Sequence, residues 1–237
     1  MISGFAIYFT LPRILSPEEF GNYGVTIGFL SVFNMMLVVS TIQAVSKFVS
    51  EKPSLEPSIR KSAFKIQAYI GGGVSLILFA GAGVFARMFN DPALMGLIRW
   101  GAPIPVLYSF YAVAIGSLNG RGLFHRQAFL DITFAVIKTL SIIAGAWITG
   151  RVYGAVAGFA FTAYVITAIG LFYTRDRNPL IGQTSFNWKP LFKFEFSVMV
   201  LTLLSNLLIN LDLFLVKTLS TGENASELAG FYTAVQT

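Results

Sequence analysis

Apolar residues run through this chain in seven long stretches: Ile2 to Leu15, Gly24 to Val45, Ile66 to Phe85, Leu94 to Leu118, Phe129 to Ile148, Val152 to Tyr173 and Phe196 to Val216. An eighth starts near Leu228. All but the first approach or exceed the ~20 residues that a helix rising ~1.5 Å per residue needs to cross ~30 Å of hydrocarbon. Short loops that hold most of the charge separate them and leave no room for a soluble domain. The pattern predicts an all-α, polytopic membrane helix bundle.

Composition agrees: 55% of residues are hydrophobic, 12% are charged and the mean hydropathy is +0.70, far from a soluble domain. The net charge of +6 does not imply a nucleic-acid partner, because the basic residues are scattered at span ends rather than gathered on one face. They report threading instead. With a cytoplasmic N-terminus, the inside loops hold Lys47, Lys52, Arg60, Lys61, Lys65, Arg121, Arg126, Arg175, Arg177, Lys189 and Lys193. The outside loops hold only Arg13, Arg87, Arg99, Arg151 and Lys217. This bias predicts a multi-pass protein of the cytoplasmic (plasma) membrane with its N-terminus inside. Met1 to Leu15 has no basic residues ahead of its apolar run, so it does not read as a cleavable signal.

The chain has no cysteine and one histidine, His125, which excludes thiolate and His-cluster metal sites. His125 reads as a solvated loop residue. The loops also lack the acidic or histidine cluster that a membrane enzyme acting on lipid phosphate would need, so no metal, cofactor or catalytic group is expected. Ser185 to Ser197, with Trp188, Phe192, Phe194 and Phe196 among Lys189 and Lys193, reads as a segment at headgroup level before span seven. Gly71, Gly72 and Gly73, like Gly154 and Gly158, read as helix-packing glycines.

One pattern occurs twice. After span one come Arg13-Ile14-Leu15-Ser16, Glu18-Glu19 and Gly21-Asn22-Tyr23; after span seven come Lys217-Thr218-Leu219-Ser220, Glu223 and Glu227, and Gly230-Phe231-Tyr232. Six spans separate the copies, and an even number keeps the topology, which predicts parallel repeats about an axis along the membrane normal. Residues 1–178 then form a first six-helix lobe. Residues 179–237 carry an interfacial segment, span seven and the start of span eight.

The run Leu11 to Gly24, LPRILSPEEFGNYG, resembles the first-loop signature of polysaccharide-export proteins, the lipid-linked oligosaccharide (O-antigen-type) flippases of the multidrug/oligosaccharidyl-lipid/polysaccharide flippase superfamily. Leu118 to Ala128 is similar to their fourth loop and Asn206 to Asp212 to their seventh span. The resemblance implies two six-helix lobes facing a central cavity, and movement of a lipid-linked sugar between leaflets by alternating access, with a coupling ion as a possible partner. It departs from the family in its short first span and in Val198-Met199, where a proline is often found. On this reading the chain is one lobe plus the first helix of a second, a fragment needing its missing second lobe or a second copy.

Charged groups inside a span tend to face a cavity. Lys138 lies nine residues into span five, roughly 14 Å along the axis, on one stripe with Gln127, Asp131, Ser141 and Gly145. Two readings stand: a water-lined cavity wall whose cation attracts a substrate diphosphate, or a buried structural pair of Lys138 with Asp131. Span seven offers Thr202, Asn206, Asn210 and Lys217, with Ser205 and Asp212 on an adjacent face. Here cavity lining and interhelical hydrogen bonding compete, and Asp212 has Lys217 or a loop arginine as a potential partner. Asn34 and Arg13 complete the substrate candidates, Gln43 is a weaker one, and Pro103 and Pro105 should kink span four. The competing functions are an ion-coupled drug or cation antiporter of the same fold, for which Asp131 is the sole embedded carboxylate in the first lobe, and a noncatalytic membrane scaffold.

Overall fold

The computed structural model of the chain describes residues 2–174, 186–219 and 225–236, and there it is helical, with no strand. The helices are α1 (Ile2–Ile14), α2 (Pro17–Glu51), α3 (Glu56–Met88), α4 (Leu94–Gly101), α5 (Ile104–Gly120), α6 (Phe124–Thr149), α7 (Val152–Tyr173), α8 (Trp188–Leu219) and α9 (Ala225–Gln236). Six helical stretches are long and apolar enough to cross a membrane, with α4 and α5 together making one of them. This is a multi-pass membrane protein. Arg175, Arg177, Ser185, Ser220 and Glu223 lie outside the described residues.

Local sequence explains the main boundaries. Ser16 caps α2 by accepting a hydrogen bond from the Glu19 backbone N–H at 3.2 Å. Pro17 at the first position and Glu18 and Glu19 in the first turn suit the positive end of the helix dipole. The fourth span breaks where its prolines lie: α4 ends at Gly101 and α5 starts at Ile104, with Pro103 as its cap residue and Pro105 in its first turn. Proline has no N–H to bond the preceding turn, so the α4 ladder stops there.

The core is built around α2, which packs against α5 on one side and α8 on the other, while α6 lies on α7 and α1. The α6–α7 contact runs through glycine. A Cβ on Gly154 would sit 2.0 Å from the Gly145 carbonyl oxygen, and one on Gly158 2.1 Å from that of Ser141. Side chains would force the two backbones apart. Among the three consecutive glycines only Gly71 packs, against Ser109 and Val106; Gly72 and Gly73 face open space, contrary to expectation.

From Trp188 onward the aromatic segment before span seven is the opening of the 32-residue α8, with Leu191 and Glu195 buried in the bundle. One further expectation needs correction. Among the described residues Asp212 pairs neither with Lys217 nor with a loop arginine but accepts a hydrogen bond from Tyr232 of α9.

The two copies of the echoed pattern meet. A Cβ on Gly21 would lie 2.9 Å from the Gly230 nitrogen, and one on Gly230 would lie 2.6 Å from the Pro17 carbonyl oxygen. Their shared glycine thus serves backbone-to-backbone contact between α2 and α9.

Candidate functional site

Lys138 lies at the middle of α6, half-buried, with its ammonium 5.2 Å from the centre of the Phe159 ring and 5.8 Å from that of Phe134. Ring faces attract a cation electrostatically. Tyr108 packs on the same two rings, and its buried hydroxyl has no hydrogen-bond partner among the described residues. One turn or more away, Asp131 accepts a 3.5 Å hydrogen bond from Tyr111. No ion pair joins Lys138 to Asp131 among the described residues, so the structural pair is not what holds this lysine. The proposed stripe is also shorter than its spacing implied, because Ser141 and Gly145 are covered by Gly158 and Gly154 of α7.

The other predicted residues sit apart. Arg13 is exposed, 3.6 Å over the Phe9 ring and bonded to the Phe9 carbonyl of its own helix. Asn34, midway along α2, has a buried amide oxygen with no partner among the described residues. Asn206 and Asn210 donate to the carbonyls of Thr202 and Asn206 in α8, at 2.9 Å each. Asn210 faces Gly28 of α2, where a Cβ would be 3.2 Å from its amide oxygen. Asp212 is exposed. Since α6 rests on α1 and α7, and α8 on α2, α3 and α9, the structure does not bring these candidates into one cluster. Pro103 lines an apolar groove of about 590 Å³ with Phe79, Arg99, Trp100, Phe161 and Tyr164.

Two polar clusters escaped the sequence reading. At the end where α8 stops, the Lys217 ammonium, 2% exposed, donates to Asp91 at 2.8 Å, to Asn22 at 3.3 Å and to Ser226. At the opposite end of α8, fully buried Glu195 accepts hydrogen bonds from Thr41 of α2 at 2.9 Å and from Gln67 of α3. Glu195 stands one residue before the expected start of span seven, and its position within LFKFEFSVM was the available signal. Nothing in the spacing pointed to Thr41 or Gln67.

The chain is similar to known proteins in two ways. A family model described as polysaccharide biosynthesis protein matches residues 10–236. A multidrug resistance MATE family transporter of the MOP superfamily, solved in an inward-facing conformation, is similar with a TM-score of 0.65 and 15% sequence identity, over 98% of this chain and 60% of its own. At that identity the likeness establishes the fold: a helix bundle of the MATE transporter type. The chain spans 60% of that transporter's length. A search of the curated proteins gave no match.

Proposed function

Since the chain belongs to the polysaccharide biosynthesis protein family, we propose that it is part of a flippase that moves lipid-linked oligosaccharide or polysaccharide precursors across the cytoplasmic membrane by alternating access. In this reading α1 to α7 are the first lobe and α8 and α9 open the second. The observation that carries it is the seam at which the echoed copies meet, Gly21 of α2 against Gly230 of α9. Parallel repeats docked along a common seam are the arrangement that rocking of one bundle against another requires.

Lys138 supplies the chemistry for an anionic headgroup. It is a cation at mid-helix whose hydrogen-bonding capacity no oxygen of the described residues occupies, in an aromatic setting that a sugar-phosphate could share. Phosphate has the charge to replace the ring faces as its partner. Because one lobe provides one wall, transport needs a second bundle, from further chain or from a second copy.

The N-terminus is placed in the cytoplasm on the charge bias. Single cysteines at Ser58 and Gly122 should be shielded from an impermeant thiol reagent in intact cells and one at Asn90 should label; the reverse pattern inverts the orientation. The function itself is tested by reconstituting the complete two-bundle assembly in liposomes and following a fluorescent lipid-linked sugar. Flipping supports the reading. Coupled efflux of a drug or cation without sugar movement would favour the antiporter, and no movement of either the scaffold.

A further inference from the structure

Glu195 is the most deeply buried acid of the described chain, 0% exposed, and both residues that hold it, Thr41 and Gln67, are equally buried. Both hydrogen bonds arrive on one carboxyl oxygen, Oε1, from the Thr41 hydroxyl at 2.9 Å and the Gln67 amide nitrogen. The second oxygen, Oε2, has no hydrogen-bond partner among the described residues, and neither does the amide oxygen of Gln67. Even the Thr41 bond is shared, since its single hydroxyl proton also faces the Leu37 carbonyl at 2.6 Å. An ionised carboxylate left this way would have one bare oxygen on the face of α8 that carries buried Leu191 and Met199, an arrangement whose desolvation cost nothing among the described residues offsets.

Among the described residues no cation makes up the difference. Lys47 of α2 is exposed and lies 4.3 Å over the Phe194 ring; Arg60 of α3 pairs with Glu56 at 3.4 Å. The remaining charged groups that these helices carry toward this end, Glu51 and Lys52 of α2, Lys61 and Lys65 of α3 and Lys189 and Lys193 of α8, are exposed. A metal cation fits poorly as well, because Oε1 already accepts two hydrogen bonds and, of this trio, only Glu195 Oε2 and the Gln67 amide oxygen are left unpartnered among the described residues, fewer oxygens than a hard cation takes. A proton fits: on Oε2 it removes the charge and turns one orphaned acceptor into a donor, with the amide oxygen of Gln67, the residue already bonded to this carboxyl, as the other orphaned acceptor.

We propose that Glu195, held by Thr41 and Gln67, is a proton-binding site at the junction of α8 with α2 and α3. The neutral acid is stable in the closed junction, whereas the carboxylate needs water and so favours a junction parted enough to admit it. Proton binding therefore closes this end and proton release opens it. On the flippase reading, on which this last step rests, the site couples lobe movement to protons.

The test is infrared spectroscopy of the chain in lipid nanodiscs between about pH 5 and pH 9, a range that covers carboxyl groups displaced by burial. The expected result is a protonated-carboxyl band that vanishes in Glu195→Gln and disappears reversibly as pH rises, with faster hydrogen exchange in Trp188 to Leu201 in the wild type but not in the variant. Glu195→Gln is isosteric with the protonated acid and should fold. Thr41→Val, which removes one donor to the carboxylate, should move the loss of the band to higher pH. A Glu195 that is ionised at every pH, or a band removed by sodium at fixed pH, overturns the proposal, the latter in favour of a metal cation. These readouts need no transport, so absent flipping by the complete assembly would count against the flippase reading alone.

Discussion

Two lysines lie within this bundle, and they are held in opposite ways. Lys217 has three oxygen partners, Asp91, Asn22 and Ser226, drawn from α2, the loop before α4, and α9. Among the described residues Lys138 has only the faces of Phe134 and Phe159. A buried cation with its hydrogen bonds filled is committed to holding helices together, and removing it strands its partners. One held by aromatic faces keeps its donors for another ligand. The contrast places Lys217 in the architecture, and under the proposed function it leaves Lys138 as the candidate for the substrate.

The sharpest way to break that assignment is to neutralise each lysine and measure unfolding in detergent. Lys217→Met leaves the Asp91 carboxylate without its cation. Breaking a buried pair costs about 3–5 kcal/mol, and the remaining 14% exposure of the Asp91 side chain argues for the lower end, about 3 kcal/mol. A loss well under 1 kcal/mol would show that the cluster is not a clamp. Gly21→Ala attacks the same seam through packing. The new methyl would meet the Ser226 carbonyl oxygen at 1.8 Å, so a destabilisation on the order of 1–3 kcal/mol is expected, and native stability would deny the close approach of α2 and α9.

Lys138→Met should change stability by less than about 1 kcal/mol, since it leaves no orphaned anion behind. Destabilisation as large as that of Lys217→Met would place Lys138 in the architecture too. The smallest effect belongs to Gly72→Ala. With nothing near its Cβ, it should be neutral or gain up to about 1 kcal/mol from helix propensity, and a clear loss in the same unfolding assay would mean that Gly72 packs after all.

What the sequence made legible follows from the range of the interaction involved. Spans and the break at Pro103 depend on residues close in the chain, and length, hydropathy and proline chemistry report them directly. The echo at Gly21 and Gly230 was legible as a repeat, although that the copies touch was not. Lys217 was visible as a basic residue at a span end. Its partners Asn22 and Asp91, however, lie 195 and 126 residues away, and no local pattern encodes them. Glu195 was passed over for a related reason: Lys189, Lys193 and the aromatic residues around it make an interfacial pattern, while burial depends on which face α8 turns to α2 and α3. The Gln127 to Gly145 stripe failed halfway because a small residue has the same spacing whether it lines water or admits a neighbouring backbone.

The most direct measurement is the flipping rate of a fluorescent lipid-linked sugar in liposomes holding the complete two-bundle assembly, with Lys138 varied and folding checked in parallel. The account predicts that Lys138→Arg keeps partial activity and that Lys138→Glu, which sets an anion against the headgroup, slows flipping by about tenfold or more, equivalent to at least about 1.4 kcal/mol in the barrier. Wild-type flipping by a folded Lys138→Glu variant would contradict it.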